Sequence, residues 1–134
     1  MEIIFNKESK EFHLFNNNIS YIIKLIRTEQ PTQLYFGKKI KHRDDFSHMF
    51  QRWTERVGGL SANPFGDDET LSLDVVMQEY PSYGTTDFRQ PAFQILQEDG
   101  SRITNFKYKS HKMFDGKNKL ESLPATYVEN DSEA

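Results

Sequence analysis

The sequence contains no cysteine. Disulfides, thiolate zinc sites, iron–sulfur clusters and cysteine nucleophiles are therefore impossible, and the fold must rest on packing and hydrogen bonding. A secretory start is missing as well. Met1 to Phe15 mixes apolar residues with Lys7, Glu8, Lys10 and Glu11, where a signal would show a basic start and an unbroken apolar run. No apolar stretch is long enough to cross a bilayer. These absences predict a soluble, cytoplasmic protein with no membrane partner. Nor is there a basic excess: 17 basic against 20 acidic side chains give a formal charge of -3, which argues against a nucleic-acid partner. The local runs Lys38 to Arg43 and Lys107 to Lys112 read as solvated loops and strand faces.

What is present fits one compact domain. At 134 residues with 13% aromatic side chains, the chain is too rich in core-forming residues to stay disordered. Phe12 and Leu14 alternate with polar neighbours, and Asn16-Asn17-Asn18 supplies residues that tolerate left-handed turn geometry. Ile19, Tyr21, Ile23 and Leu25 then alternate again, which predicts a hairpin. Ile22 and Ile26 put apolar side chains on the opposite face, so the second strand should be covered on both sides. Pro31 breaks the pattern, and Gln33 to Gly37 begins a further short strand.

One segment leaves the β rhythm. Phe46, Met49, Phe50 and Trp53 fall at i, i+3, i+4 and i+7, which predicts a short helix over about residues 45–56, begun at Asp44 or Asp45 and stopped by Gly58-Gly59. A long loop through Asp68 follows, of the kind that is functional or disordered inside a compact domain. Strands are expected again over Thr70 to Val76, around Phe93 and Ile95, and over Ile103 to Tyr108, with Asp99-Gly100 as the turn between the last two. The fold class is thus all-β and antiparallel with one short helix, without internal repeat, low-complexity tract or interdomain linker.

Chemistry is harder to find. Asp44 and His48 would share a helix face with His42 nearby, but a metal needs at least three converging ligands and no spacing supplies them, so no metal is expected. Asp67, Asp68 and Glu69 are adjacent and point apart, unlike the spaced carboxylates of a glycosidase, and read as a solvated turn. No Gly-x-Ser-x-Gly elbow or phosphate-cradling glycine loop occurs. No catalytic residue and no cofactor are therefore assigned. Two groups of residues remain. Tyr80, Tyr83, Asp87 and Arg89 mix aromatic, turn and charged character as a docking surface would, the plain alternative being an ion pair of Asp87 and Arg89 on one strand face. Trp53 with Arg52 and Arg56 has the composition of an interface hot spot or a sugar-stacking patch, the alternative being a Trp53 packed under its own helix.

The run Gln78-Glu79-Tyr80-Pro81-Ser82-Tyr83-Gly84-Thr85-Thr86-Asp87-Phe88-Arg89-Gln90-Pro91-Ala92 closely resembles the amino-terminal part of bacterial α-galactosidases of glycoside hydrolase family 36. So do Gly116-Lys117 with Leu120, and Leu123-Pro124-Ala125-Thr126-Tyr127-Val128-Glu129. Phe12-His13-Leu14, Ser20-Tyr21 and Tyr35-Phe36-Gly37-Lys38 stand in matching order, so the likeness covers essentially the whole chain. The resemblance implies the leading part of an amino-terminal β-supersandwich, an antiparallel sandwich that precedes a catalytic (β/α)8 barrel. Both catalytic Asp residues of the family lie in that barrel, and no segment here matches it. The implied parent enzyme hydrolyses terminal α-galactosides such as melibiose and raffinose with retention and in several members is a homotetramer, in which an amino-terminal loop reaches the active-site rim of a neighbour. Residues 51–66 occupy the corresponding place, which makes Trp53, Arg56 and Arg52 rim candidates and Tyr80, Tyr83, Asp87 and Arg89 interdomain candidates. The competing expectations are an independent carbohydrate-binding β-sandwich and a plain oligomerisation module. A sandwich that stops before its last strands should also leave edges and apolar faces that favour self-association.

Overall fold

A computed structural model describes residues 1–52, 71–85, 87–114, 116 and 121–124. Four strands, β1 (Glu2–Asn6), β2 (Glu11–Phe15), β3 (Ile19–Leu25) and β4 (Pro31–Lys38), form one antiparallel sheet in the order β1-β2-β3-β4. The antiparallel all-β class expected from the alternation is the one observed. The first two of the three tight connections are each built by an asparagine. The Asn6 carboxamide oxygen accepts the Glu8 and Ser9 amides between β1 and β2, and that of Asn16 accepts the Asn18 and Ile19 amides between β2 and β3. The Asn16 to Asn18 turn therefore works through this side-chain mimicry of a backbone carbonyl, not through the left-handed backbone expected there. Between Ile22 and Ile23 the register with β4 shifts, so that Leu34 is the extra residue of a bulge.

The two faces of the sheet differ in chemistry. Pairing places Ile4, His13 and Ile22 in one row and Glu11 beside Lys24 in another, giving one face a polar centre. The segment after β4 folds back over it, with Phe46 fully buried against the His13 ring. The opposite face carries Ile3, Phe5, Phe12, Leu14, Tyr21 and Ile23, and residues 108–113 cross it so that the His111 ring packs edge-on against Phe5 and Phe12. β3 is covered on both sides, as its two apolar faces require. Beyond the strand end, Ile26 joins Leu71, Leu73 and Val76 in a small core, with Phe50 against it. Each such aliphatic side chain contributes about 1.5–3 kcal/mol on burial.

The predicted helix is much shorter than its apolar spacing suggests. Within the described part of 45–56 it is a single 3₁₀ turn, Ser47–Met49, and Phe50 is already extended. Its N-cap is Phe46, without a side-chain cap, in place of the expected Asp44 or Asp45; Asp45, one residue earlier, accepts the Ser47 amide at 2.7 Å. The Phe46 amide, a donor that a helix starting here leaves without an internal partner, is satisfied by the Glu11 carboxylate, which pins the turn to the sheet. Leu71 to Val76 is likewise not a strand. It is a buried turn whose Leu73 and Val76 carbonyls accept the Arg89 guanidinium, which a ladder would leave to another strand. Around Asp99-Gly100 the turn forms, with the Gln97 amide donating to the Ser101 carbonyl, but Phe93 to Ile95 and Ile103 to Tyr108 share no ladder. These segments attach through single bonds, such as the Tyr108 amide to the Glu29 carbonyl and the Thr104 amide to the Tyr83 carbonyl.

Candidate docking and rim site

The segment from Gln78 to Arg89 is organised by one carboxylate. Asp87 is 1% exposed and accepts from Gln78 Nε2 at 2.7 Å, Arg89 Nε at 2.9 Å, the Arg89 terminal nitrogen at 2.8 Å and the Arg89 amide at 3.1 Å. The same guanidinium reaches on to the Leu73 carbonyl at 2.8 Å and the Val76 carbonyl at 3.0 Å. Burial pushes the Asp87 carboxyl up, but the Arg89 hydrogen bonds and charge, with Gln78, outweigh it and hold the group below the usual carboxylate range. Asp87 raises Arg89 in turn, against the opposing effect of burial. Gly84 and Asp87 exchange backbone hydrogen bonds across a tight turn, and a Cβ on Gly84 would sit 2.7 Å from the Ile103 side chain.

This rigid hub carries aromatic groups outward. Tyr80 and Phe88 are 66% and 65% exposed, and Phe93 bridges Tyr80 to Phe106 through ring contacts of 6.2 and 4.6 Å. Tyr83 is half-buried and packs edge-on against Phe88. An open groove of about 370 Å³ lies beside them, lined by Gln33, Met77, Gln78, Glu79, Arg89 and Gln90 among others. Tyr21 donates to Glu79, and burial, with that carboxylate, raises its phenol far above the usual range. The hub thus ties the sheet, the small core and the aromatic surface into one piece.

A second network anchors the segment that leads toward residue 52. The Glu11 carboxylate, nearly fully buried, accepts from Lys24 Nζ and from the Phe46 amide, each at 2.8 Å, while the Asp44 carbonyl accepts from Asn6 Nδ2 and Ser9 Oγ. His13 contacts His42 and Ser20, both at 3.0 Å. No pattern in the sequence assigns Glu11 or His13 a polar role, although His13 lies in one of the runs that carry the resemblance. Their partners lie up to 36 positions away, and no short motif spans that interval.

Residues 29–134 match the glycosyl hydrolase family 36 N-terminal domain. The chain belongs to that family. It is 41% identical over 134 residues to alpha-galactosidase AgaA of Geobacillus stearothermophilus, covering all of this chain and 18% of the relative. The solved GH36 alpha-galactosidase AgaB of the same organism superposes with a TM-score of 0.78 at 39% identity, over 97% of this chain and 17% of that one. The alpha-galactosidase of Lactobacillus brevis does so with a TM-score of 0.80 at 30% identity, over 98% and 17%. The chain therefore spans less than a fifth of the length of these relatives. Its β-sandwich class is theirs.

Set within this family 36 domain, the sequence-derived candidates separate clearly. Tyr80 and Phe88 lie on the surface and Tyr83 at its edge, whereas Asp87 is inside, consumed by Arg89 and Gln78. The ion pair of Asp87 and Arg89 exists, but as the centre of a turn network and not on a strand face. Arg89 remains 47% exposed and faces the groove. Arg52 stacks its guanidinium 5.2 Å from the Phe50 ring. Trp53 and Arg56 lie outside the described residues. Among the described residues no three His, Asp or Glu side chains converge as metal ligands would.

Proposed function

We propose that this chain is the non-catalytic amino-terminal portion of a cytoplasmic α-galactosidase that hydrolyses terminal α-galactosides, melibiose and raffinose among them, with retention. Its role is to support the folding of the enzyme, its assembly as a homotetramer and the rim of the active site. The observation that carries this reading is the match of the entire chain to 18% of AgaA, itself an alpha-galactosidase, within the family 36 N-terminal domain. The surface is consistent with a part that docks. Phe36, Tyr80, Phe88, Leu96 and Phe106 are all more than half exposed, side chains of the kind that a partner surface would cover.

Tyr80, Tyr83 and the exposed side of Arg89 are the docking groups, with Asp87 fixing their geometry from inside. Trp53, Arg56 and Arg52 supply the rim. Alanine replacement of Trp53 and Arg56 in the full-length enzyme should raise the raffinose KM or loosen the tetramer. Unchanged raffinose kinetics together with an unchanged assembly would remove the rim role. The chain alone should neither cleave a chromogenic α-galactoside nor bind galactosides measurably; binding by the isolated chain would favour an independent carbohydrate-binding module instead.

A further inference from the structure

The polar centre of the sheet contains an arrangement that the docking role does not use. His13, on β2, is 2% exposed, and both its ring nitrogens are engaged: Nδ1 lies 3.0 Å from Nδ1 of His42, and Nε2 lies 3.0 Å from Ser20 Oγ. Ser20 is fully buried, and its oxygen also accepts the Ile40 amide at 3.0 Å. Thus one histidine holds the segment after β4 at two points, directly through His42 and indirectly through Ser20 and Ile40. Phe46 closes the same pocket, its ring 5.3 Å from that of His13.

We propose that the His13–His42 pair is an acid-opened latch that fastens residues 39–47 onto the sheet. A contact between two Nδ1 atoms needs one proton between them, with one ring donating and the other accepting. When His42 donates and His13 accepts, His13 Nε2–H donates to Ser20 Oγ, and the only ring nitrogen left to take a proton is Nε2 of half-buried His42. A first added proton is therefore accommodated. A second must go to His13 Nδ1, which makes both facing nitrogens donors and both rings cations, so the contact breaks and the segment is released.

The surroundings leave that second proton unsupported. Glu2 on β1 favours a charged His13, whereas burial, His42 and Lys39 of the fastened segment oppose it and together prevail. Glu11 on the same strand and Lys24 on β3 are committed to each other, and β4 presents Tyr35 and Gly37 opposite this row. His48 of the 3₁₀ turn approaches the Phe46 ring, 6.4 Å between centroids. The His13 imidazole thus sits below its ordinary value of about 6.5. Its folded-state value being depressed, the unfolded chain binds the extra proton first. Stability is complete above about pH 6.5 and falls as the pH drops below it, with a limiting slope of tenfold in the unfolding constant per pH unit for one proton.

The test follows urea unfolding and hydrogen exchange of the Ile40 amide between about pH 7.5 and pH 5 in the protein and in His13→Gln and His42→Gln. The unaltered protein should lose stability at up to tenfold per pH unit, and Ile40 should lose protection, after correction for intrinsic exchange, before the Ile22 amide at the sheet centre. Both variants should show a flatter pH dependence, and His42→Gln keeps the test open if His13→Gln does not fold. A His13 that is merely buried would flatten the slope in His13→Gln but not in His42→Gln, and would leave the Ile40 amide protected as long as that of Ile22. Slopes unchanged in the variants, or Ile40 protection constant across the range, would overturn the latch.

Discussion

The Asp87 hub offers the most direct test of how this domain holds its exposed aromatic surface. Asp87→Asn keeps the shape of the side chain but replaces one acceptor oxygen by a donor. The native carboxylate accepts four hydrogen bonds, three of them from Arg89. In the variant the new amide nitrogen faces two donors, either Gln78 Nε2 with the Arg89 terminal nitrogen or Arg89 Nε with the Arg89 amide, and the charge pairing is gone. Breaking a buried pair costs about 3–5 kcal/mol where the surviving charge is fully buried. Arg89 is 47% exposed, so water can solvate part of the guanidinium, and about 2–3 kcal/mol is the better figure. For 134 residues that corresponds to roughly 7–10 °C in Tm, measurable by circular dichroism. Because the folded carboxyl lies below its usual value, this contribution is present above about pH 3.9 and is lost as the pH falls through the folded-state value. Asp87→Asn should therefore unfold less steeply with acid than the native protein. Pairing it with Arg89→Met should give a double variant more stable than the two single losses sum to, since both partners then leave together. A loss under about 0.5 kcal/mol, or strict additivity, would refute the view that this pair organises the segment.

Other outcomes follow from local geometry. Gly84→Ala should destabilise by about 2 kcal/mol or more, because φ is +99° and the new Cβ meets Ile103, whereas Gly100→Ala, at φ +81° with open space around it, should cost only about 1 kcal/mol; equal losses in thermal melts would contradict the close approach at Gly84. Tyr21→Phe should cost about 1–2 kcal/mol by removing the donor to Glu79, and an absorbance titration at high pH should show a late-ionising tyrosine in the native protein that the variant lacks.

The sheet is the part that local pattern describes well. Alternation through Phe12, Leu14 and Ile19 to Leu25, with asparagines between, requires only that each side chain meet its nearest neighbours in a hairpin. β1 is less visible, since Glu2-Ile3-Ile4-Phe5-Asn6 puts apolar residues on both faces and blurs the period. The 45–56 spacing mimics a helix because Phe46 and Phe50 do pack inward, yet they do so on either side of one 3₁₀ turn, after which Phe50 is extended. Leu71, Leu73 and Val76 are buried as an apolar segment should be, while the carbonyls that would make it a strand bond to Arg89.

By itself the sequence determined the cysteine-free, all-β, antiparallel character and, through the long Gln78 to Ala92 run, the family. It also brought forward the aromatic and charged groups from Tyr80 to Arg89. Only the tertiary structure decided their roles. It put Asp87 at the centre of a buried network, left Tyr80 on the surface and joined His13 to His42. Periodicity records which side chains leave water, because burial follows the local face of a strand or turn. It does not record which polar group answers which, because those partners are brought together by the folding of segments 16 to 35 residues apart.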